Sequence, residues 1–146
     1  ADFVDWGNED NYVKAVGVGE CAGVVIDLVA TLLYEAKDKL TFAQEAFEDK
    51  KWSDAIYLAY AGFVNGAKAL LLAENQKTNH HAGIIDLFDT VFVETNKIQL
   101  ATSFKELVYK IRENEPSETF AKEYIATTTA FFETIETYRA LDLSKA

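Results

Sequence analysis

An all-α fold is predicted for this chain, an antiparallel bundle of four to five helices, and three observations predict it. Long stretches place apolar residues three and four apart, the spacing of one helix face. The chain holds a single proline and only seven glycines among its 146 residues, too few turn residues for an all-β chain. Nearly half of the residues are hydrophobic and 13% are aromatic, so one domain of this length has ample material for a core.

The first helical pattern runs from about Gly23 to Phe47, with Val25, Leu28, Leu32, Ala36, Leu40, Ala43 and Phe47 on one face. The second runs from Ser53 to about Glu74. Ser53 reads as its N-cap, and Trp52 before it as a hydrophobic staple onto Tyr57. Its buried stripe is Ile56, Ala59, Phe63, Ala67, Leu70 and Leu71. Gly62 and Gly66 cost helix propensity and are expected where a neighbouring helix comes close. Residues 75–79 form a turn. A third helix carries Ile84, Ile85, Phe88, Val91 and Phe92 and ends near Asn96.

After a looser segment, 97–102, a shorter helix carries Phe104, Leu107, Val108 and Ile111. Pro116 is placed in the first turn of the last helix, whose face is Phe120, Tyr124, Thr127, Phe131, Ile135 and Tyr138. The expected division is an extended N-terminal lead over 1–19 and the bundle over 20–146.

The net charge of −10 weighs against a surface that tracks nucleic-acid phosphates, since the chain has only two arginines, Arg112 and Arg139. Cys21 is the single cysteine. It forms no internal disulfide and suits a reducing compartment, so a cytoplasmic location is expected. The acidic start does not read as a signal peptide. The apolar run 22–33 is too short to span a bilayer and contains Asp27. The absence of any methionine, with Ala1 first, suggests a segment cut from something longer.

The stretch W-S-D-A-I-Y-L-A-Y, then A-K-A-L-L-L, a turn with His81, and G-I-I-D-L-F-D-T-V-F-V resembles the HEPN family of helical nucleotide-binding domains. The closing A-K-E-Y-I-A-T-T-T-A-F-F-E-T-I is similar to that family's last helix. The similarity covers roughly residues 28–141 and implies the helical bundle. Ribonuclease members of the family carry an Arg followed four to six residues later by His. Here Arg112 is followed by E-N-E-P-S-E-T, and Arg139 is followed by no histidine either, so the ribonuclease reading is disfavoured.

The lead D-F-V-D-W-G and Y-V-K-A-V-G-V-G-E-C-A-G-V-V-I-D-L-V resembles the junction between a sirohaem nitrite or sulfite reductase and a HEPN-like extension. On that resemblance the chain is a non-catalytic interaction domain at the C-terminus of such a reductase. Sirohaem and an iron–sulfur cluster would belong to the parent region and no cofactor to this domain, since Cys21 alone supplies one of the four thiolates a cluster needs. The alternative is a stand-alone HEPN nucleotide-binding domain that partners a minimal nucleotidyltransferase. Partners on these readings are a second copy of the chain, an attached reductase domain or a nucleotide, with neither nucleic acid nor membrane expected.

The candidate nucleotide- or partner-binding residues are Tyr57, Tyr60, Asn65 and Lys68 on the second helix, with His80 and His81 on the following turn. Each has a plainer reading. One histidine caps the third helix while the other is solvated. Lys68 lays its stem on the core, and the tyrosine hydroxyls find partners at the rim. Gly17, Gly19 and Gly23 lack both the P-loop and the Rossmann spacing and read as a flexible joint. Cys21 reads as a small buried residue. No catalytic residue and no metal ligand set is assigned, because neither histidine sits in the Glu-x-x-His pattern of a di-iron bundle.

Overall fold

The computed structural model describes residues 18–145, with side chains from Gly23 onward. Its helices are α1 (Val18–Glu48), α2 (Trp52–Ala73), α3 (His81–Phe88), α4 (Phe104–Val108), α5 (Lys110–Glu113) and α6 (Glu118–Ser144). Among the described residues there is no strand. The all-α bundle expected from the spacing is the fold observed.

Three long helices make the frame: α1 and α2 form a hairpin, and α6 packs against both. The hairpin turn is tight. Lys50 takes a left-handed conformation (φ 62°), and the amides of Lys50 and Lys51 donate to the carbonyls of Phe47 (3.0 Å) and Ala46 (2.9 Å). These bonds satisfy carbonyls that the end of a helix otherwise leaves without partners.

The α2 stripe expected from its periodicity is buried throughout: Ile56, Ala59, Phe63, Ala67, Leu70 and Leu71. By length and composition α2 is apolar enough to cross a membrane, yet 67% of its most apolar window is buried within the bundle. Packing between helices accounts for that apolarity. Gly62 and Gly66 mark the close approach of α6. A Cβ on Gly66 would lie 3.1 Å from Ile135 Cδ1 and 3.2 Å from the Phe132 ring. One on Gly62 would meet Phe132 at 3.4 Å.

Below this crossing lies an aromatic core. Phe63 of α2 meets Tyr124 (5.4 Å between ring centroids) and Phe131 (5.3 Å) of α6. Phe88 of α3 and Phe104 of α4 close it at 4.5 Å. Offset and tilted ring pairs of this kind add to the gain from burial alone. Tyr124 keeps its hydroxyl satisfied by donating to the Val108 carbonyl at 2.7 Å.

α3 does not run on as a plain α-helix to Asn96. It continues as one π-helical turn, Asp89–Val93, and Asn96 follows with φ 61°. Within that turn the Asp89 carboxylate accepts from the amides of Phe104 (2.7 Å) and Lys105 (3.0 Å). It thereby caps α4 together with Ser103, whose hydroxyl accepts from the Glu106 amide.

Several local expectations are corrected. α2 starts at Trp52 with Lys51 in the cap position, so Ser53 is already helical. Trp52 packs on Phe47 (5.1 Å) and not on Tyr57, because the tight turn folds its ring back onto α1. Ser117 caps α6, its hydroxyl accepting from the Phe120 amide. Pro116 therefore lies just outside the helix. Gly19 and Gly23 are inside α1, so they are not a joint. Gly17 and the rest of residues 1–17 lie outside the described residues, as does the Cys21 side chain.

Candidate functional site

The first half of α2 leaves two tyrosines off the core face. Tyr57 is 62% exposed, and Tyr60 is half-buried one turn on. Their rings are near-parallel at 6.2 Å. The seven residues between α2 and α3 carry the chain back along α2, so His81, at the start of α3, reaches Tyr60. The Tyr60 hydroxyl and His81 Nδ1 share a hydrogen bond of 3.1 Å, and the two rings lie 5.7 Å apart. With the imidazole proton on Nε2, the phenol donates to Nδ1.

Two further residues complete the cluster from another side. Tyr109, between α4 and α5, lies under Arg112, whose guanidinium carbon sits 3.8 Å from the ring centroid. A planar guanidinium held flat on an aromatic face keeps its N–H edges directed outward. Both residues are near enough to Tyr60 to act on its ionisation. Burial pushes the Tyr60 phenol above its usual 10.0, Tyr109 and Tyr57 reinforce the shift, and the Arg112 charge opposes it. Tyr60 is therefore a protonated donor at neutral pH.

The arrangement is an aromatic ledge of Tyr57 and Tyr60 edged by the His81 imidazole, with Tyr109 and the Arg112 guanidinium near enough to act on the Tyr60 phenol. Flat rings accept a nucleobase by stacking, a contact worth about 1–3 kcal/mol per base. A guanidinium is suited to bidentate contact with a phosphate. The ledge carries groups for both ends of a nucleotide.

Of the residues nominated from sequence, Tyr57, Tyr60 and His81 are brought together. His80 is not. It occupies the cap position of α3 without a side-chain cap bond, and its backbone amide donates to the Thr78 hydroxyl (3.4 Å). The expectation that one histidine caps and the other is solvated is thus replaced: both are exposed, His80 makes no side-chain cap bond, and His81 pairs with Tyr60. Asn65 and Lys68 sit half-buried farther along α2 and take no part in the contacts around Tyr60. Tyr109 and Arg112 were missed as site residues. Two signals pointed to them: Arg112 is one of only two arginines, and it stands three residues after Tyr109, the spacing at which helical side chains meet.

A cavity of about 630 Å³ lies at the other end of α2, lined by Glu74, Asn96, Lys97, Tyr138, Leu141 and Asp142 among others. Its charges answer one another, with Lys97 Nζ 3.3 Å from Glu74 Oε1, whereas the Arg112 guanidinium rests on a ring. Among the described residues no three His, Cys, Asp or Glu side chains gather as a metal site.

Comparison with known proteins agrees with the architecture. The HEPN domain family matches residues 29–138, well over half of the chain, and the chain belongs to that family. A protein of Methanocaldococcus jannaschii described as "Putative toxin" is 37% identical over 71 residues, covering 49% of this chain and 53% of that relative. The chain thus matches about half the length of this curated relative. No solved structure gives a significant match. The expectation of a sirohaem nitrite or sulfite reductase extension is overturned, since the curated relative is described as a toxin and not as a reductase domain. Of the residues that suggested a reductase junction, 2–28 fall ahead of the family match and 29–35 lie within it.

Proposed function

We propose that this chain is a HEPN-family nucleotide-binding domain of the toxin type, and that the ledge around Tyr60 takes the nucleotide. The observation that carries the reading is the pairing of the His81 imidazole from α3 with the Tyr60 phenol of α2, beside the stacked Tyr57 ring, with the Arg112 charge acting on the same phenol. The base stacks on the tyrosine rings. The phosphate meets Arg112, with the His81 Nε2–H beside it and the Tyr60 hydroxyl holding the imidazole through Nδ1. The relative described as a toxin supports the toxin part of the reading.

A small nucleotide fits this chain better than a polymer. With a net charge of −10, a long phosphate backbone is repelled over most of the surface, while one or two phosphates meet only the local field of Arg112. A minimal nucleotidyltransferase, the partner that the family resemblance implies, handles ligands of the same class.

Calorimetric titration with AMP and ATP tests the reading. Binding is expected, and Arg112→Ala weakens it by about tenfold or more, as loss of a charge-assisted contact does. Arg112 is exposed, so the variant keeps the fold. Absence of binding to the unaltered chain, or equal binding by the variant, overturns the assignment.

A further inference from the structure

The hairpin turn holds a second feature, a groove of about 380 Å³ between the end of α1 and the first two turns of α2. Phe42, Glu45 and Asp49 line one side; Lys51, Asp54 and Tyr57 line the other. Phe42 is 47% exposed and Tyr57 is 62% exposed. A helix surface that faces only water ordinarily carries polar side chains in such positions. Here two large rings stand open beside three carboxylates.

The carboxylates are unmatched. Some surface acids find cations: Lys37 pairs with Glu136 at 3.0 Å, Lys97 with Glu74 at 3.3 Å and Lys105 with Asp86 at 3.9 Å, although in a chain of net charge −10 many do not. Glu45, Asp49 and Asp54 stand in none of the ion pairs among the described residues. Lys51 is the single cation on the groove wall. The local charge is thus negative, and it surrounds an apolar floor.

We infer that this groove is a docking surface for a basic amphipathic segment of a partner protein, one that alternates lysine or arginine with large apolar side chains. The apolar side chains cover Phe42 and Tyr57, and the cations meet Glu45, Asp49 and Asp54. Opposite charge around an apolar centre sets both the encounter rate and the choice of partner. A second copy of this chain is a poor occupant, because a symmetric contact sets the same carboxylates against one another. A phosphate polymer is repelled for the same reason. Tyr57 belongs also to the ledge and stacks on Tyr60, so a seated partner covers the outermost ring of the ledge.

The groove is tested without any nucleotide, so the outcome is independent of the ligand assigned to the ledge. Amide shifts of the isotope-labelled full chain are followed while a short synthetic peptide of alternating lysine and leucine pairs is added. Shifts centred on residues 42–58 are expected, weakening as salt is raised. The double variant Glu45→Gln/Asp49→Asn lowers affinity about tenfold, and Phe42→Ser lowers it independently. All three side chains are exposed, which leaves the core of these variants intact. Equal binding of a peptide with aspartate in place of lysine overturns the inference. So do shifts centred elsewhere, or an unaffected double variant. Concentration-dependent shifts in the groove without peptide also overturn it, since they assign the surface to a second copy.

Discussion

The two sides of α2 make opposite uses of the same helix. Toward α6 the chain has removed side chains: Gly62 and Gly66 let Phe131, Phe132 and Ile135 approach to ordinary van der Waals distance or closer. Toward α3 and α5 it has kept large polar-tipped rings, Tyr57 and Tyr60, and left them partly open. The first side is sealed and satisfied by packing alone. The second side offers rings, a donor, an imidazole and a guanidinium that packing does not need. The contrast separates the residues that hold the bundle from those available for binding.

Filling the sealed side has the largest expected effect. Gly66→Val places its branched side chain against Ile135 and two phenylalanine rings, and overpacking of this kind costs about 1–3 kcal/mol. The control is Gly23→Ala on α1, where an added Cβ meets nothing within 4 Å. There helix propensity alone acts, and stability rises by up to about 1 kcal/mol. Denaturant unfolding of both variants gives opposite signs. Two losses of similar size contradict the close approach at Gly66.

A smaller effect comes from pH. Burial raises the Tyr124 phenol well above its ordinary value of 10.0, and Tyr60 adds to the shift. Stability from this group is complete below about pH 10 and declines as pH rises further, because the unfolded chain ionises first. Tyr60 and Tyr138 are raised in the same direction. Tyr124→Phe is expected to flatten the alkaline decline and to lose about 1 kcal/mol at neutral pH with its bond to Val108. An unchanged slope between pH 9 and 11, the window about the phenol's usual value, contradicts that assignment.

How much of this was legible in the sequence differs between the two sides. The sealed side was readable, because helical spacing names the buried stripe and two glycines in an otherwise bulky face announce a crossing. Helix ends were less so. Ser53 has the chemistry of a cap, but the tight turn at Lys50 starts α2 two residues earlier than that. The open side was half readable. Tyr57, Tyr60 and His81 stood out by type, and Asn65, Lys68 and His80 stood out just as much without joining them. Arg112 was set aside because a histidine was sought a few residues after it on the same stretch. The histidine near this site comes instead from another helix, delivered by the turn after α2, and no local spacing encodes that.

The central claim is that the open side of α2 binds a nucleotide, and tyrosine ring resonances test it most directly. Rings on which a base stacks shift upfield when AMP is added. The account predicts such shifts at Tyr57, Tyr60 and Tyr109, while Tyr138, in the charged cavity at the far end of α2, stays in place. Unmoved ledge tyrosines in excess AMP, or a shift confined to Tyr138, would contradict it.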